Sequence, residues 1–203
     1  MPGQSNRRRY PNLFNSAALD SAVRSADRGQ VINASARMFS NHPSWPVVIP
    51  PSQIIVDSVP VITSRNFGQN VPTPLRQDLI DYLGLSNFAH AIDGWRYLSQ
   101  ASLAGFKGSR REGIHLSYYA ELRAAMSILA GFGIAISNDH NYSVDAGGQI
   151  QWFGGATHAV TWDAIKIWAS EPSFAQEILS SIKIFGVNGF EVLQSCRASQ
   201  SAD

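Results

Sequence analysis

Residues 113–133, GIHLSYYAELRAAMSILAGFG, form the longest run of helical periodicity in the sequence. Apolar residues recur there at the spacing that places them on one face of a helix, as Tyr118, Leu122, Ala125, Leu129 and Phe132. A second stripe overlaps the first and consists of His115, Tyr119, Leu122 and Met126. Two stripes leave only a narrow polar strip. The run therefore predicts a central helix that neighbouring elements cover, ended by Gly131 and Gly133.

The chain is poor in charge for its size. Asp, Glu, Lys and Arg make up 15% of its 203 residues, against about 25% in typical globular domains. Because solvated surfaces are usually richer in Lys and Glu, this composition favours a chain covered by partners, and the alternative is a plain bias toward Ser, Asn and Gln. The formal net charge of +1 gives no overall attraction to nucleic acid or to membranes.

Cysteine usage and hydropathy indicate the compartment. The single cysteine, Cys196, excludes an internal disulfide framework and fits a reducing environment. No run of apolar residues reaches the length that spans a bilayer. The sequence therefore predicts a cytoplasmic protein without a membrane partner.

The first 74 residues predict an N-terminal arm, two short helices and an extended belt. Residues 1–10 are polar and contain Arg7, Arg8 and Arg9, which predicts a solvated arm or one that contacts phosphates. Helical spacing follows over 16–28 and again over 31–39, with Gly29 as the predicted break. Seven prolines between residues 43 and 74 exclude a helix and disfavour a central strand there. They favour short edge strands or a belt laid over another surface.

Residues 75–203 predict a helical bundle with a hairpin near 134–153. Pro74 suits the start of a helix that Thr73 caps and Gly84 stops, and a further helix, weakened at Gly94, is predicted at 86–106. Strand-like periodicity at 134–136 and around the DAGG turn at 145–148 predicts the β-hairpin. Later helices are predicted at 157–169, with Thr157 as its cap, at 174–185 and at 189–196. The predicted fold class is mainly α, a helical bundle with a small β-hairpin insertion and a proline-rich extended N-terminal segment.

Arg110, Arg111 and His115 are the candidate catalytic residues. A metal-independent ribonuclease needs a histidine as general base for a 2′-hydroxyl and an arginine that stabilises the charge developing on phosphorus. Alternatively, His115 packs on Tyr119 at the start of the helix, and the arginines are solvated or bind carboxylates of a partner.

Metal and nucleic-acid sites have weaker support. Asp139, His140, His158 and Asp163 could be combined into a metal site, but their spacing matches no compact ligand motif. We expect neither a metal nor a cofactor, and we expect His158 to cap or anchor the helix at 157. A basic patch for nucleic acid can be drawn from Arg7, Arg8, Arg9, Lys107, Arg110 and Arg111.

Several segments carry a resemblance to a known family. WRYL at 95–98 and YYAELRAA at 118–125, followed by Leu129 and the glycine-ended helix, resemble the second half of a HEPN-like helical domain, and THAV at 157–160 adds to the likeness. The resemblance covers residues 86–185 and implies an up-and-down bundle of the kind found in prokaryotic toxin–antitoxin, abortive-infection and anti-phage systems. It implies RNase activity only where an Arg-x(4–6)-His motif lies near the start of the last helix. Here Arg110 and His115 lie ahead of the central helix instead.

Three functional hypotheses follow. The first is a non-catalytic helical subunit of a prokaryotic anti-phage or anti-plasmid defence complex, with a nuclease, an ATPase or an SMC-like protein as partner. The second is a HEPN-type metal-independent RNase toxin acting as a homodimer, with His115 as base and Arg110 or Arg111 as phosphate clamp. The third is a nucleic-acid-binding adaptor that uses the basic patch. We expect the first.

Overall fold

The computed structural model describes residues 16–41, 71–137, 141–181, 183–184, 187–188 and 191. The helices of this part of the chain are α1 (Ser16–Ser25), α2 (Arg28–Asn41), α3 (Thr73–Phe106), α4 (Arg110–Gly131), α5 (Thr157–Ser170) and α6 (Pro172–Ser181). The strands are β1 (Ile134–Ala135), β2 (Asn141–Val144), β3 (Ile150–Phe153), β4 (Lys183–Ile184) and β5 (Val187–Asn188).

The mainly helical fold with a small antiparallel sheet confirms the predicted fold class. The arm at 1–10 and most of the proline-rich belt, 43–70, lie outside the described residues. The chain divides into two compact units, one that ends at Ala164 and one that begins at Ile165. Helices α1 and α2 belong to the same unit as α3, α4 and the sheet β1–β3.

One helix of 34 residues, α3, replaces the two helices expected at 74–83 and 86–106. Its N-cap residue is Pro72, with φ of −58° and ψ of 146°, so Thr73 is already helical and does not cap it. Pro74 lies in the first turn as predicted, where a missing N–H costs no hydrogen bond. The helix continues through Gly84 and Gly94, and the prediction that Gly84 stops it is wrong.

Both glycines instead permit another helix to approach closely. A Cβ atom at Gly84 would lie 3.0 Å from Oγ and 3.3 Å from the backbone N of Ser35 in α2. A Cβ atom at Gly94 would lie 3.4 Å from the carbonyl oxygen of Ala120 in α4. The packing therefore offsets the low helix propensity of glycine at these positions.

Helix α4 is the central helix predicted at 113–133. It begins three residues earlier, at Arg110, and ends at Gly131. Gly133 follows with φ of +88°, a conformation that favours glycine, and leads the chain into β1. The buried positions of α4 are Ala120, Leu122, Ala125, Met126, Leu129 and Ala130. Its first turns are open to solvent, since Ile114 is 61% exposed, so the expected cover extends over the second half only.

The break between α1 and α2 lies at Asp27 rather than at the predicted Gly29, which belongs to α2. Oδ1 of Asp27 accepts a hydrogen bond of 3.0 Å from the backbone N–H of Gln30, which caps α2. The backbone N–H of Asp27 donates to the carbonyl of Val144 at 2.8 Å. A short polar side chain that caps a helix therefore sets this break, and the same residue fastens the turn to β2.

The sheet has the strand order β1-β2-β3, so a third strand joins the predicted hairpin. All pairs are antiparallel, with Ala135 opposite Tyr142 and Val144 opposite Ile150. The hairpin turn is closed by a 2.8 Å hydrogen bond from the Gly148 N–H to the Asp145 carbonyl, which confirms the turn at 145–148. Every residue of β2 is buried. Helix α1 contacts β2 and β3, and the larger side chains of β2 enter the core.

Helices α2, α3 and α4 and the sheet share one hydrophobic core. Its fully buried members include Ala34, Leu79, Leu83, Tyr142 and Val144. The Tyr142 hydroxyl donates to the Leu79 carbonyl at 2.8 Å, which satisfies a polar group inside the core. Burial, with Tyr82 nearby as a second cause, raises the pKa of Tyr142, so the phenol keeps the proton that it donates.

Helices α5 and α6 match their predictions in part. Helix α5 covers the predicted 157–169, although the Val160 N–H donates to the Ala156 carbonyl at 3.0 Å, so Thr157 is inside the helix and does not cap it. Helix α6 ends at Ser181, and the predicted continuation to residue 185 is wrong because β4 pairs with β5 there. The predicted last helix, 189–196, lies outside the described residues except for Glu191.

We predict opposite effects for two glycine substitutions in α3. Gly84→Leu should lower the free energy of unfolding by about 1–3 kcal/mol, because the side chain must displace α2. Gly105→Ala is the matched control, because no atom lies within 4 Å of the added Cβ. It should raise the free energy of unfolding by up to about 1 kcal/mol. Denaturant unfolding measures both, and a Gly84→Leu variant as stable as wild type would contradict the packing of α2 on α3.

Candidate functional site

The C-terminal half of α3 exposes a row of large apolar side chains. Ile92, Trp95, Leu103 and Phe106 are 46%, 70%, 52% and 90% exposed, respectively. With Ser99 they stand at i, i+3, i+7, i+11 and i+14, which is one face of a helix. We call these five residues the outer stripe. Helix faces of this composition are usually buried, and exposed apolar patches often mark interaction sites.

Polar groups do little to interrupt the outer stripe. The Ser99 hydroxyl donates to the carbonyl of Trp95 at 2.8 Å, one turn back in the same helix. Ser102, beside the stripe, likewise donates to the carbonyl of Leu98 at 2.9 Å. Both hydroxyl protons are used within the helix, so covering this face leaves no unsatisfied donor at either serine.

A shallow hollow of about 440 Å³ lies on the outer stripe. Its walls are Ile92, Trp95, Arg96, Ser99 and Gln100. Four of these positions stand at i, i+3, i+4 and i+7, the set that forms a hole for a side chain of a facing helix. The hollow therefore has the form that helix–helix packing requires.

The opposite face of α3 packs on α4 and is small or polar apart from Tyr97, which stacks on Tyr119 with ring centroids 5.5 Å apart. Asn87 and Ser127 exchange two hydrogen bonds of 2.8 Å, each from a side chain to the other residue's carbonyl. Nη1 of Arg123 lies 3.1 Å from Nδ1 of His90, and Nε of Arg123 lies 4.0 Å from a carboxylate oxygen of Asp93. We call these last five residues the polar seam. Its hydrogen bonds satisfy Asn87, Ser127 and the His90 ring between the two helices, whereas Nε of Arg123 is buried with no hydrogen-bond partner among the described residues.

His90 stays neutral within the polar seam. An arginine can only donate, so Nδ1 of His90 accepts and the ring proton lies on Nε2. Burial lowers the pKa of His90 to about 3, and the charge of Arg123 lowers it further in the same direction. A proton at His90 would place two cations side by side between the helices.

A second depression, of about 520 Å³, lies where α3 turns into α4. It is lined by Ala101, Gly105, Gly108, Arg110, Gly113, Ile114, Ser117, Tyr118 and Glu121. Arg110 is thus the one predicted catalytic residue among its walls. His115 does not line it, because about 140° of helix rotation separates residues 110 and 115.

The structure places the other predicted site residues as follows. Arg111 and His115 are both exposed and stand one turn apart on the same face of α4. His115 packs edge-on against Tyr119, with ring centroids 4.9 Å apart, as one of the alternatives expected. Lys107 is exposed at the C-cap of α3. Arg7, Arg8 and Arg9 lie outside the described residues.

His158 anchors the start of α5 to α4. Its Nδ1 is hydrogen-bonded to the Tyr118 hydroxyl at 2.7 Å, and the two rings stack with centroids 5.7 Å apart. The indole N–H of Trp162 also reaches the Tyr118 oxygen, at 3.4 Å. Asp139 and His140, the other members of the metal site considered from the sequence, lie outside the described residues with no placement.

Sequence reasoning missed the outer stripe. The apolar residues of the helix predicted at 86–106 are typical of an ordinary amphipathic helix: Phe88, Ile92, Trp95, Leu98, Leu103 and Phe106. The signal that could have found the stripe is the other face, where residues 87, 90, 94, 101 and 104 are Asn, His, Gly, Ala and Ala, with Tyr97 as the large exception. A helix whose small and polar face is the packed one leaves its large apolar face outside.

Comparison with known protein families, curated proteins and solved structures finds no match to this chain. Among the helices of the described residues, none combines the length and apolar character needed to cross a bilayer.

We predict that His90 makes stability depend on pH. The unfolded chain takes up a proton at this ring below about pH 6.5, whereas the folded chain does so only near pH 3. Stability is therefore unaffected by His90 above about pH 6.5 and falls as pH falls from there toward 3, by up to about 1.4 kcal/mol per pH unit.

The control for this prediction is His90→Gln, which keeps an acceptor and cannot titrate. The difference in unfolding free energy between wild type and His90→Gln should shift against wild type between about pH 7 and pH 5. A difference that stays constant over this interval would show that His90 is not held neutral.

Proposed function

We propose that this chain is a non-catalytic helical subunit that works by protein–protein assembly, within a prokaryotic anti-phage or anti-plasmid defence complex. The observation that carries the assembly role is the outer stripe, in which Trp95 and Phe106 are 70% and 90% exposed. Tryptophan and other aromatic anchors dominate the binding energy of protein interfaces. The defence complex rests on the resemblance to HEPN-like domains, with a nuclease, an ATPase or an SMC-like protein as the partner class.

The low charge of the whole chain supports the same role. Charged residues are depleted in the cores of protein interfaces, and this sequence has 15% of them. On the outer stripe itself there is no charged residue, and Arg96 at its margin lies 3.6 Å from a carboxylate oxygen of Asp93. A partner can therefore cover the stripe without burying an unpaired charge.

The placement of the predicted RNase residues favours assembly over catalysis. A general base and a phosphate clamp must reach the same phosphodiester. Arg110 lines the depression at the α3–α4 turn and His115 does not, so these two residues do not converge on one cavity. Arg111 and His115 share a helix face, and on that face they are open to solvent.

We expect the tagged chain, purified from its native host, to bring down other subunits in stoichiometric amounts. Replacing two anchors together, Trp95→Ser with Phe106→Ser, should reduce that recovery at least about tenfold, because both side chains are hot-spot candidates. Ile114→Ser is the control, since Ile114 is 61% exposed but lies outside the stripe. Mass spectrometry of the eluted complex measures the outcome.

Four other results would contradict the proposal. A chain recovered without other subunits would contradict the complex, and recovery unchanged by the double substitution would contradict the stripe. RNA cleavage that is lost in His115→Ala would favour the RNase hypothesis. RNA binding that weakens steeply with salt and is unaffected by His115→Ala would favour the adaptor hypothesis.

A further inference from the structure

The outer stripe has a symmetric pattern along the helix. Ser99 stands at its centre, Trp95 and Leu103 lie four residues on either side, and Ile92 and Phe106 lie seven residues on either side. The four large residues are all at least 46% exposed, and the central residue is small. A pattern of this kind is its own complement when a second helix runs in the opposite direction.

We propose that the outer stripe is a homodimer interface, in which α3 pairs antiparallel with α3 of a second copy about a two-fold axis at Ser99. Such an interface is isologous, because each patch contacts the identical patch of its partner. In this register Trp95 faces Leu103 of the second copy and Ile92 faces its Phe106. Ser99 meets itself on the axis, where a small residue lets the helices approach. This inference rests on the proposed assembly role, and it identifies a second copy of this chain as the protein that covers the stripe.

The hollow on the stripe fits this register. It lies among Ile92, Trp95, Arg96 and Ser99, which form the hole of a knobs-into-holes contact. The position that mirrors this hole across Ser99 is occupied by Leu103. Each copy therefore offers a leucine knob that is 52% exposed to the hollow of the other.

Charges do not oppose the pairing. Arg96, at the margin, mirrors Ser102, whose hydroxyl is bonded to the Leu98 carbonyl. Lys107 mirrors Ala91. No like charges meet across the axis in this register, so the face is complementary to itself in charge as well as in shape.

The amount of apolar surface suits a reversible dimer. An aromatic side chain buries about 150–250 Å². With 70% of Trp95 and 90% of Phe106 exposed, the two rings alone offer on the order of 300 Å² per copy. Ile92, Leu103 and the flanking residues add to this area. The total buried by the dimer is then about 1,200 Å², which is the lower end of the range for specific interfaces.

We expect the dimer to dissociate with a Kd in the micromolar range. A dimer also presents every other docking site of the chain twice, which strengthens the binding of further subunits.

Sedimentation of the purified full-length chain tests the pairing. The wild-type chain should pass from monomer to dimer as its concentration rises to about 100 μM. Trp95→Ser with Phe106→Ser should raise the dimer Kd at least about tenfold, and Ile114→Ser should leave it unchanged. Circular dichroism melting verifies that both variants are folded. A wild-type chain that stays monomeric, or a dimer indifferent to the double substitution, would overturn the proposal.

Disulfide trapping tests the axis and the direction of pairing. In a Cys196→Ser background, Ser99→Cys should form an intermolecular disulfide under mild oxidation. Lys107→Cys should not, because residue 107 of an antiparallel pair lies about 24 Å from its counterpart. Disulfides at both positions would indicate parallel helices and would overturn the antiparallel register, as would trapping at Lys107→Cys alone.

These outcomes separate the dimer from the assembly role. A monomeric purified chain whose stripe substitutions still release other subunits in the host would refute the dimer and keep the proposed function. A dimer recovered from the host without other subunits would support the dimer and refute the proposed function.

Discussion

The close contact between α3 and α4 decides where every large side chain of the second half of α3 can lie. A Cβ atom at Gly94 would already be 3.4 Å from the Ala120 carbonyl, so the backbones leave space for small residues and for side chains that hydrogen-bond. Asn87 and Ser127 fit into this narrow space because each hydrogen-bonds to the other residue's carbonyl. His90 fits there because its neutral ring accepts a hydrogen bond from Arg123. The bulky apolar residues of the outer stripe are consequently on the side that faces solvent, and the large side chain at the contact itself is Tyr97, which stacks on Tyr119 of α4.

Helix α3 therefore performs different tasks along its length. Its first half carries Leu79, Ile80 and Leu83 into the core that it shares with α2 and the sheet. Its second half carries the outer stripe and is held by α4 through the polar seam. This arrangement anchors the helix at one end and presents a rigid apolar face at the other. A preorganised face loses little conformational entropy on binding, which is the physical basis for giving it an assembly role.

Sequence patterns predicted the elements whose signals are local. The periodicity of α4 and the Asp145–Gly148 turn each act over a few residues, and both are found in place. The Gly84 prediction was wrong because α2 packs against this glycine, which offsets its low helix propensity. The Gly29 prediction was wrong because Asp27 caps α2 and sets the break two residues earlier. The outer stripe could not be separated from a buried stripe by periodicity alone. Which face of α3 is covered depends on α4, and that contact is tertiary.

A continuous α3 is central to this account, because the five residues of the outer stripe align only if the helix passes unbroken through Gly94. Pulsed electron–electron resonance between spin labels at Gln77→Cys and Lys107→Cys, in a Cys196→Ser background diluted with unlabelled chain, measures the span directly. Thirty residues of unbroken helix predict a single distance near about 45 Å. A mean distance between the labels that is shorter than this by about 10 Å, or two separate distances, would show a break in the helix. A break at Gly94 would take Ile92 off the face of the other four stripe residues, whereas a break at Gly84 would contradict the continuous α3 and leave the stripe aligned.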